Sequence, residues 1–317
     1  MTQVQEPQAP GGAGGKAPTF LSAAQLDALR LSTADVVEAI EQSIRAREAG
    51  ALHTAPKAYI EPGDGRLALA MLAVDAEVMV VKAVIANAAN KARGLASVLG
   101  SVLVLDGQTG EPLALLDGPW VTAVRTAGLS AVAAKRLARP DAATLGLIGC
   151  GVQAHSHLAA FAEIFPLRRA LVAGRGAANR DAVLAAARAR GLEAVAVDAD
   201  AALAADIVVT SVDLGVAPFL DARHMRPGAF AAMVDLAVPW LEPGLAGFDR
   251  IAIDDLVQER TVAKPMVPMQ RVNGDLADLV TGRMPARLNA TERTGFAFRG
   301  IALGDIALAG LVWRRVR

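Results

Sequence analysis

The stretch from Thr144 to Ala154 reads T-L-G-L-I-G-C-G-V-Q-A, and its residue types suit one task, the holding of a pyrophosphate. A short apolar run stops at Gly149, which lets the chain turn tightly off a strand. Gly151 has no Cβ, so backbone there can approach a phosphate. Ala154 lets the following helix lie close to the sheet. Val152 and Gln153 open that helix, whose first N–H groups and positive dipole end face the ligand. Three charged residues stand where chemistry is possible. Arg125 lies in V-T-A-V-R-T-A, an otherwise apolar helical stretch. A guanidinium there can grip a carboxylate through two hydrogen bonds, or be no more than a solvated helix-face charge. Lys82 ends the run E-V-M-V-V-K, where a lysine can also be a snorkelling edge residue. Asp235 closes A-A-M-V-D, at the carboxyl edge of an expected strand, outside which ligands of open α/β sheets bind. Such an acid can move protons if burial raises its pKa, or can simply cap a turn.

The segments around these residues fall into two styles. After Thr144 the chain alternates: strands at 168–173, 193–197, 206–211, 229–235 and 250–255, with helices at 176–190 and 199–205. That is the pattern of a doubly wound parallel sheet. Thr210 and Ser211, at the end of D-I-V-V-T-S, are expected with Gly149, Gly151, Val152, Gln153 and Ala154 at the dinucleotide crevice. Before residue 118 the pattern differs. Ser22 opens a short helix. Residues 33–48 form an amphipathic helix with Thr33 as its cap and Val36, Val37, Ile40 and Ile44 on one face. Strand-like runs occupy 57–83, and 90–98 reads as a loop. D-G-Q-T-G-E-P joins 99–106 to 112–117 as a hairpin. Residues 119–138 are a long helix leading into the second part, and 295–317 begin as strand and end as helix. The expected organisation is a flexible tail at 1–17, an α+β sheet domain from 18–125 plus 296–317, and a Rossmann-type domain at 126–295.

Composition narrows the function. Lys plus Arg number 32 and Asp plus Glu number 32, which points to neither nucleic acid nor an anionic membrane as partner. One cysteine allows no internal disulfide, no apolar run reaches bilayer length, and the N-terminus lacks a signal-peptide pattern. A cytoplasmic location is expected. Cys150 sits inside the phosphate turn and is not read as a nucleophile. His155 and His157 do not share a helix face, and His53 and His224 lack ligand-like neighbours, so no metal site is expected.

With these pieces placed, the chain resembles the ornithine cyclodeaminase/mu-crystallin family from about residue 20 to the end. The resemblance rests on VVKAV around Lys82, NKARGL, LLDGPWVTAVRTA, LARPDAATLGLIGCGVQA and RGIALGDIALA. It implies a dinucleotide domain joined to a sheet domain that usually mediates homodimerisation. It implies oxidation or reduction of the C–N bond of a small amino or imino acid: ornithine cyclisation, alanine dehydrogenation, or ketimine and pyrroline-carboxylate reduction. Some members bind a dinucleotide with little turnover; Lys82, Arg125 and Asp235 together favour an enzyme. By resemblance, Lys57, Lys82 and Arg125 hold the substrate carboxylate, Lys57 standing where many members carry Arg. Asp235 and Lys82 serve the chemistry, Asp235 contacting the amine. Asp305 matches a family motif and is read as a site residue or a helix N-cap. Ornithine-handling members carry an acid where this chain has Leu69, two before Met71, which argues against ornithine. The second strand of the Rossmann unit ends A-G-R, with Gly174, Arg175 and then Arg180 in place of an acid. Arginine there suits a 2′-phosphate, so NADP(H) is favoured over NAD(H).

Overall fold

Two sheets share the chain, and their strands differ as the two sequence styles require. The computed structural model describes residues 17–317; the expected tail lies outside the described residues except for Ala17. The first sheet contains β1 (Thr19–Leu21), β2 (His53–Thr54), β3 (Ala58–Ile60), β4 (Arg66–Val74), β5 (Val78–Asn87), β6 (Val98–Asp106) and β7 (Pro112–Asp117). Its order is β1-β7-β6-β5-β4-β2, with β3 also on β4; β1 runs parallel to β7 and the other pairs are antiparallel. Side chains alternate between a covered and an open face, as a half-covered sheet demands. On β4, Met71 and Ala73 are buried while Leu72 is exposed; on β5, Val80, Lys82 and Val84 are buried while Ala83 and Ile85 are exposed.

Helices α2 (Thr33–Glu48), α3 (Gly118–Leu137) and α9 (Ala302–Val316) pack on one another, and α3 and α9 cover the inner face of that sheet. In α2, Val36, Val37, Ile40 and Ile44 are fully buried, each contributing roughly 1.5–3 kcal/mol by removal from water. The α2 cap is Ser32, whose side chain accepts from the Asp35 amide, and not Thr33, which is the first helical residue. The preceding short helix, α1 (Ala23–Ala28), starts after Ser22 as expected.

The second sheet is wholly parallel. Its strands are β8 (Thr144–Ile148), β9 (Arg169–Ala173), β10 (Glu193–Ala196), β11 (Ile207–Thr210), β12 (Phe230–Met233), β13 (Arg250–Ile253), β14 (Val272–Asp275) and β15 (Thr294–Ala297). Their order, β10-β9-β8-β11-β12-β15-β13-β14, reverses direction at β8 and so opens a crevice there. Flanking it are α4 (Val152–Ile164), α5 (Ala177–Arg188), α6 (Ala199–Leu203), α7 (Leu256–Glu259) and α8 (Leu276–Thr281). Residues 296–297 were expected with the first domain, yet they belong to β15, inserted between β12 and β13. The chain returns to the first sheet only with α9. Helix α3 spans the junction, touching β6 of one sheet and β12 and β15 of the other. Among the described residues no helix is long and apolar enough to cross a membrane.

Candidate active site

Three strand ends of the parallel sheet, those of β12, β15 and β13, set one wall of a cleft. Asp235 follows β12 and is 3% exposed. Its Oδ1 accepts from Thr210 Oγ1 at 2.9 Å and its Oδ2 from the Val212 amide at 3.0 Å. The side chain therefore caps no turn of its own. Burial pushes its carboxyl up to about 6, against the pull of those two hydrogen bonds. Leu236 and Ala237 follow with φ of 59° and 57°, two non-glycine residues in the left-handed region. Strain of that kind, of order 1–3 kcal/mol per residue, survives where surrounding packing imposes it, and it clusters at functional sites.

Asp254, after β13, is also buried and is raised to about 6 by burial. Its Oδ2 accepts from the amides of Arg299 at 3.0 Å and Gly300 at 2.6 Å, fixing the turn that leaves β15. Gly300 has φ +98°, and a Cβ there would lie 3.4 Å from Lys57 Nζ and 3.6 Å from Arg125 Nη1. Two cation heads thus converge on this bare backbone.

The opposite wall supplies those cations from the first sheet and its helices. Lys57 Nζ donates to the Arg299 carbonyl at 2.9 Å. Met71 of β4 pairs with Lys82 of β5, and Lys82 Nζ donates to Asp305 Oδ1 at 2.9 Å, both side chains 1% exposed. Arg125, held on α3 by the Asp117 cap, places Nε 3.2 Å from the same oxygen and its guanidinium carbon 5.2 Å from the Phe298 ring centroid. Arg125 Nε and Nη1 and Asp305 Oδ2 are buried without hydrogen-bond partners. Burial lowers Lys57 and Lys82 to about 8, and Arg125 beside Lys82 adds to the shift. Lys57, Lys82 and Arg125 face Asp254 and Asp305, three cations against two carboxylates, an excess of one positive charge. A buried guanidinium with free N–H groups and an uncompensated positive charge can receive one carboxylate.

The phosphate turn is built as its residue types require. Gly149 has φ +103°, and a Cβ there would lie 2.3 Å from the Ser211 carbonyl oxygen. Gly151 caps α4, and a Cβ on it would meet nothing within 4 Å, so the space in front of the helix N-terminus is open. The Ser211 hydroxyl, beside Gly149, is buried and unpartnered. Open backbone, an orphan hydroxyl and the free N–H groups of α4 fit a dinucleotide's phosphates. Cys150 packs against Gly174, and burial pushes its thiol up, consistent with a packing role.

The chain matches known proteins over nearly its whole length. The model of the ornithine cyclodeaminase/mu-crystallin family matches residues 16–317. The chain belongs to that family. A Δ1-pyrroline-2-carboxylate reductase of Burkholderia ambifaria is 35% identical over 231 residues, covering 69% of this chain and 70% of that protein. Among solved structures, the Thermococcus litoralis Δ1-pyrroline-2-carboxylate reductase in complex with NADH and L-proline superposes with a TM-score of 0.84 at 27% identity, covering 94% of this chain and 97% of its own. An archaeal alanine dehydrogenase dimer with bound NAD gives 0.85 at 25% identity, covering 94% and 95%.

The structure gathers Lys57, Lys82 and Arg125 into one cluster and sets Asp235 at a strand end of the facing sheet. Thr210, expected beside the dinucleotide, is fully buried with its hydroxyl given to Asp235. Arg175 lies in the exposed turn between β9 and α5. Asp305 is no N-cap: Ile301 holds that position, and Asp305 lies inside α9. Asp254 escaped sequence reading; its signal was a doubled acid closing I-A-I-D-D. His157 is structural, with its ring nitrogens on Gln153 O at 2.8 Å and Ser130 Oγ at 2.9 Å, and burial lowers its pKa to about 4. No cluster of metal-ligand residues occurs among the described residues.

Proposed function

We propose that this protein is a nicotinamide-dinucleotide-dependent enzyme that reduces a small cyclic imino acid, or oxidises the matching amino acid, at the C–N bond. The observation that carries this is the buried cation cluster with its single excess charge, packed against the turn that leaves β15, the strand next to the one Asp235 follows. Lys57, Lys82 and Arg125 hold the substrate carboxylate and so fix the α-carbon. When bound, the dinucleotide supplies or takes up the hydride at that carbon. Asp235 holds the proton that the substrate nitrogen gains or loses, as a group titrating near 6 can do at neutral pH. Holding both partners in one geometry supplies much of the rate.

Imine reduction is favoured over ornithine cyclisation by what lies next to the cations. On the inner face Leu69 pairs with Tyr59 and Val84, one step along from the Met71–Lys82 pair. None of the three carries a charge to receive a distal ammonium. Arg175 and Arg180, with no acid at the end of β9, support NADP(H). The open face of the first sheet carries Ile60, Leu72, Ile85 and Leu99, all exposed, and supports a homodimer joined through that face. The absence of any disulfide partner for Cys150 supports a cytoplasmic location.

Purified protein mixed with NADPH or NADH and a panel of cyclic imino acids tests the reading. Oxidation of the cofactor that depends on an α-carboxylate is expected. No turnover with any imino acid, nor with amino acids and the oxidised cofactors, would overturn it.

A further inference from the structure

The packing behind Asp235 has a polarity of its own, and its interpretation rests on the functional reading above. Thr210 is fully buried and Trp240 nearly so. An indole N–H only donates, so Thr210 Oγ1 must accept from Trp240 Nε1, 3.4 Å away. The hydroxyl's own proton is then directed to Asp235 Oδ1 at 2.9 Å. Oδ2 is held by the Val212 amide, which also can only donate. Both carboxylate oxygens face donors, and the indole behind Thr210 keeps its hydroxyl from turning round. The left-handed pair Leu236–Ala237 folds the chain back so that Trp240 lies under the end of β11, where its amide donates to Ala237 O at 3.1 Å and it bridges to Leu220.

We propose that Thr210, backed by Trp240, is the positioning residue of the site's proton-handling acid: it fixes the orientation of the Asp235 carboxylate and favours its ionised form. No charged side chain takes this part. Lys57, Lys82 and Arg125 act on one another and on Asp254 and Asp305. Arg299, beyond the end of β15, is engaged by Glu259 at 2.7 Å. Asp213, on the loop after Val212, is exposed and pairs with Lys91 at 3.2 Å. What opposes the burial of Asp235 is neutral: the Thr210 hydroxyl and backbone N–H groups. A hydrogen bond to the charged form of an acid lowers its pKa, and removal of that bond raises it.

The test is the pH profile of kcat/KM, which reports the free enzyme's groups, with the limb belonging to Asp235 identified by its loss in Asp235→Asn. In the wild type that limb is expected near pH 6. Thr210→Val keeps the side-chain shape and removes the hydroxyl; the limb is expected to move up by roughly one pH unit, with kcat at the old optimum reduced more than KM is raised. Thr210→Ser restores the hydroxyl and should return the limb to its wild-type place. Trp240→Phe removes only the donor behind Thr210 and should move the limb in the same direction by less. If Thr210→Val fails to fold, Trp240→Phe alone decides, by a limb that shifts or stays. A limb unmoved in Thr210→Val, or moved as far by Ser as by Val, would overturn the proposal. Should Asp235→Asn remove no limb at all, the assignment of Asp235 falls, and this proposal with it.

Discussion

The two walls of the cleft bury acids under opposite regimes. On the parallel-sheet wall Asp235 meets a hydroxyl and an amide, and burial lifts it to about 6. On the mixed-sheet wall Asp305, equally buried, lies between Lys82 at 2.9 Å and Arg125 at 3.2 Å. The residue type is the same and the surroundings decide the role. An acid among neutral donors can exchange a proton; an acid among cations can serve as the counter-ion that lets them stay buried.

That contrast predicts opposite responses to substitution. The largest effect belongs to Asp235→Asn, which keeps the hydrogen-bonding shape. Turnover should fall by roughly 10²–10⁴, the usual contribution of general acid–base catalysis, with little change in KM. Denaturant unfolding should show no loss of stability. Asp305→Ala should do the reverse. Removing the counter-ion leaves Lys82 and Arg125 buried together, and unfolding should report a loss of about 3–5 kcal/mol. Equal stability in the two variants would erase the distinction between the walls.

The third effect is confined to the cofactor side. A Cβ on Gly151 meets nothing in the protein, so Gly151→Val should leave Tm unchanged. Affinity for NADPH and NADH should drop at least about tenfold, or ~1.4 kcal/mol, because the side chain fills the space in front of α4. Unchanged affinity for both would place the phosphates elsewhere.

The fourth effect is a pH dependence of stability, of opposite sign for the two kinds of group. Lys57 and Lys82 fall from 10.5 to about 8 on folding, so between those values the unfolded chain binds more protons and stability should rise with pH. Asp235 and Asp254 rise from 3.8 to about 6, so stability from them is fully present at low pH and is lost as pH climbs through that window. Thermal melts should show Tm changes on the order of 2–4 °C per kcal/mol gained or lost. A melt curve that falls steadily from pH 8 to 10.5 would contradict the assignment of the lysines.

The walls also differ in how far they could be read from sequence. The phosphate turn is local: Gly149, Gly151 and Ala154 lie within one strand–turn–helix unit, and each residue type answers a need of that unit. Asp235 was legible for a similar reason, as an acid ending an apolar strand. The cation wall is assembled from positions 57, 82, 125 and 305, and no spacing rule links residues so far apart. Only resemblance joined the first three. Asp305 looked like a cap because an acid near the start of a helix usually is one, and its partners are more than 170 residues away. The place of β15 was hidden likewise. The stretch from residue 295 reads as the start of a strand, but the choice of β12 and β13 as partners is made by tertiary packing. The cap at Ser32 was missed by one residue because Ser32 and Thr33 are equally good caps by type.

The most direct measurement concerns the cation wall as a carboxylate receptor. Calorimetric titration of L-proline into the protein saturated with oxidised dinucleotide, with pyrrolidine as the control lacking the carboxylate, isolates that interaction. Proline should bind at pH 7 and pyrrolidine should not. Affinity should weaken as pH rises through about 8, where Lys57 and Lys82 lose their protons. Arg125→Ala should cost about 2–5 kcal/mol of the proline binding free energy while the dinucleotide binds as before. Equal binding of proline and pyrrolidine, or proline binding untouched by Arg125→Ala, would show that Lys57, Lys82 and Arg125 do not form the substrate site.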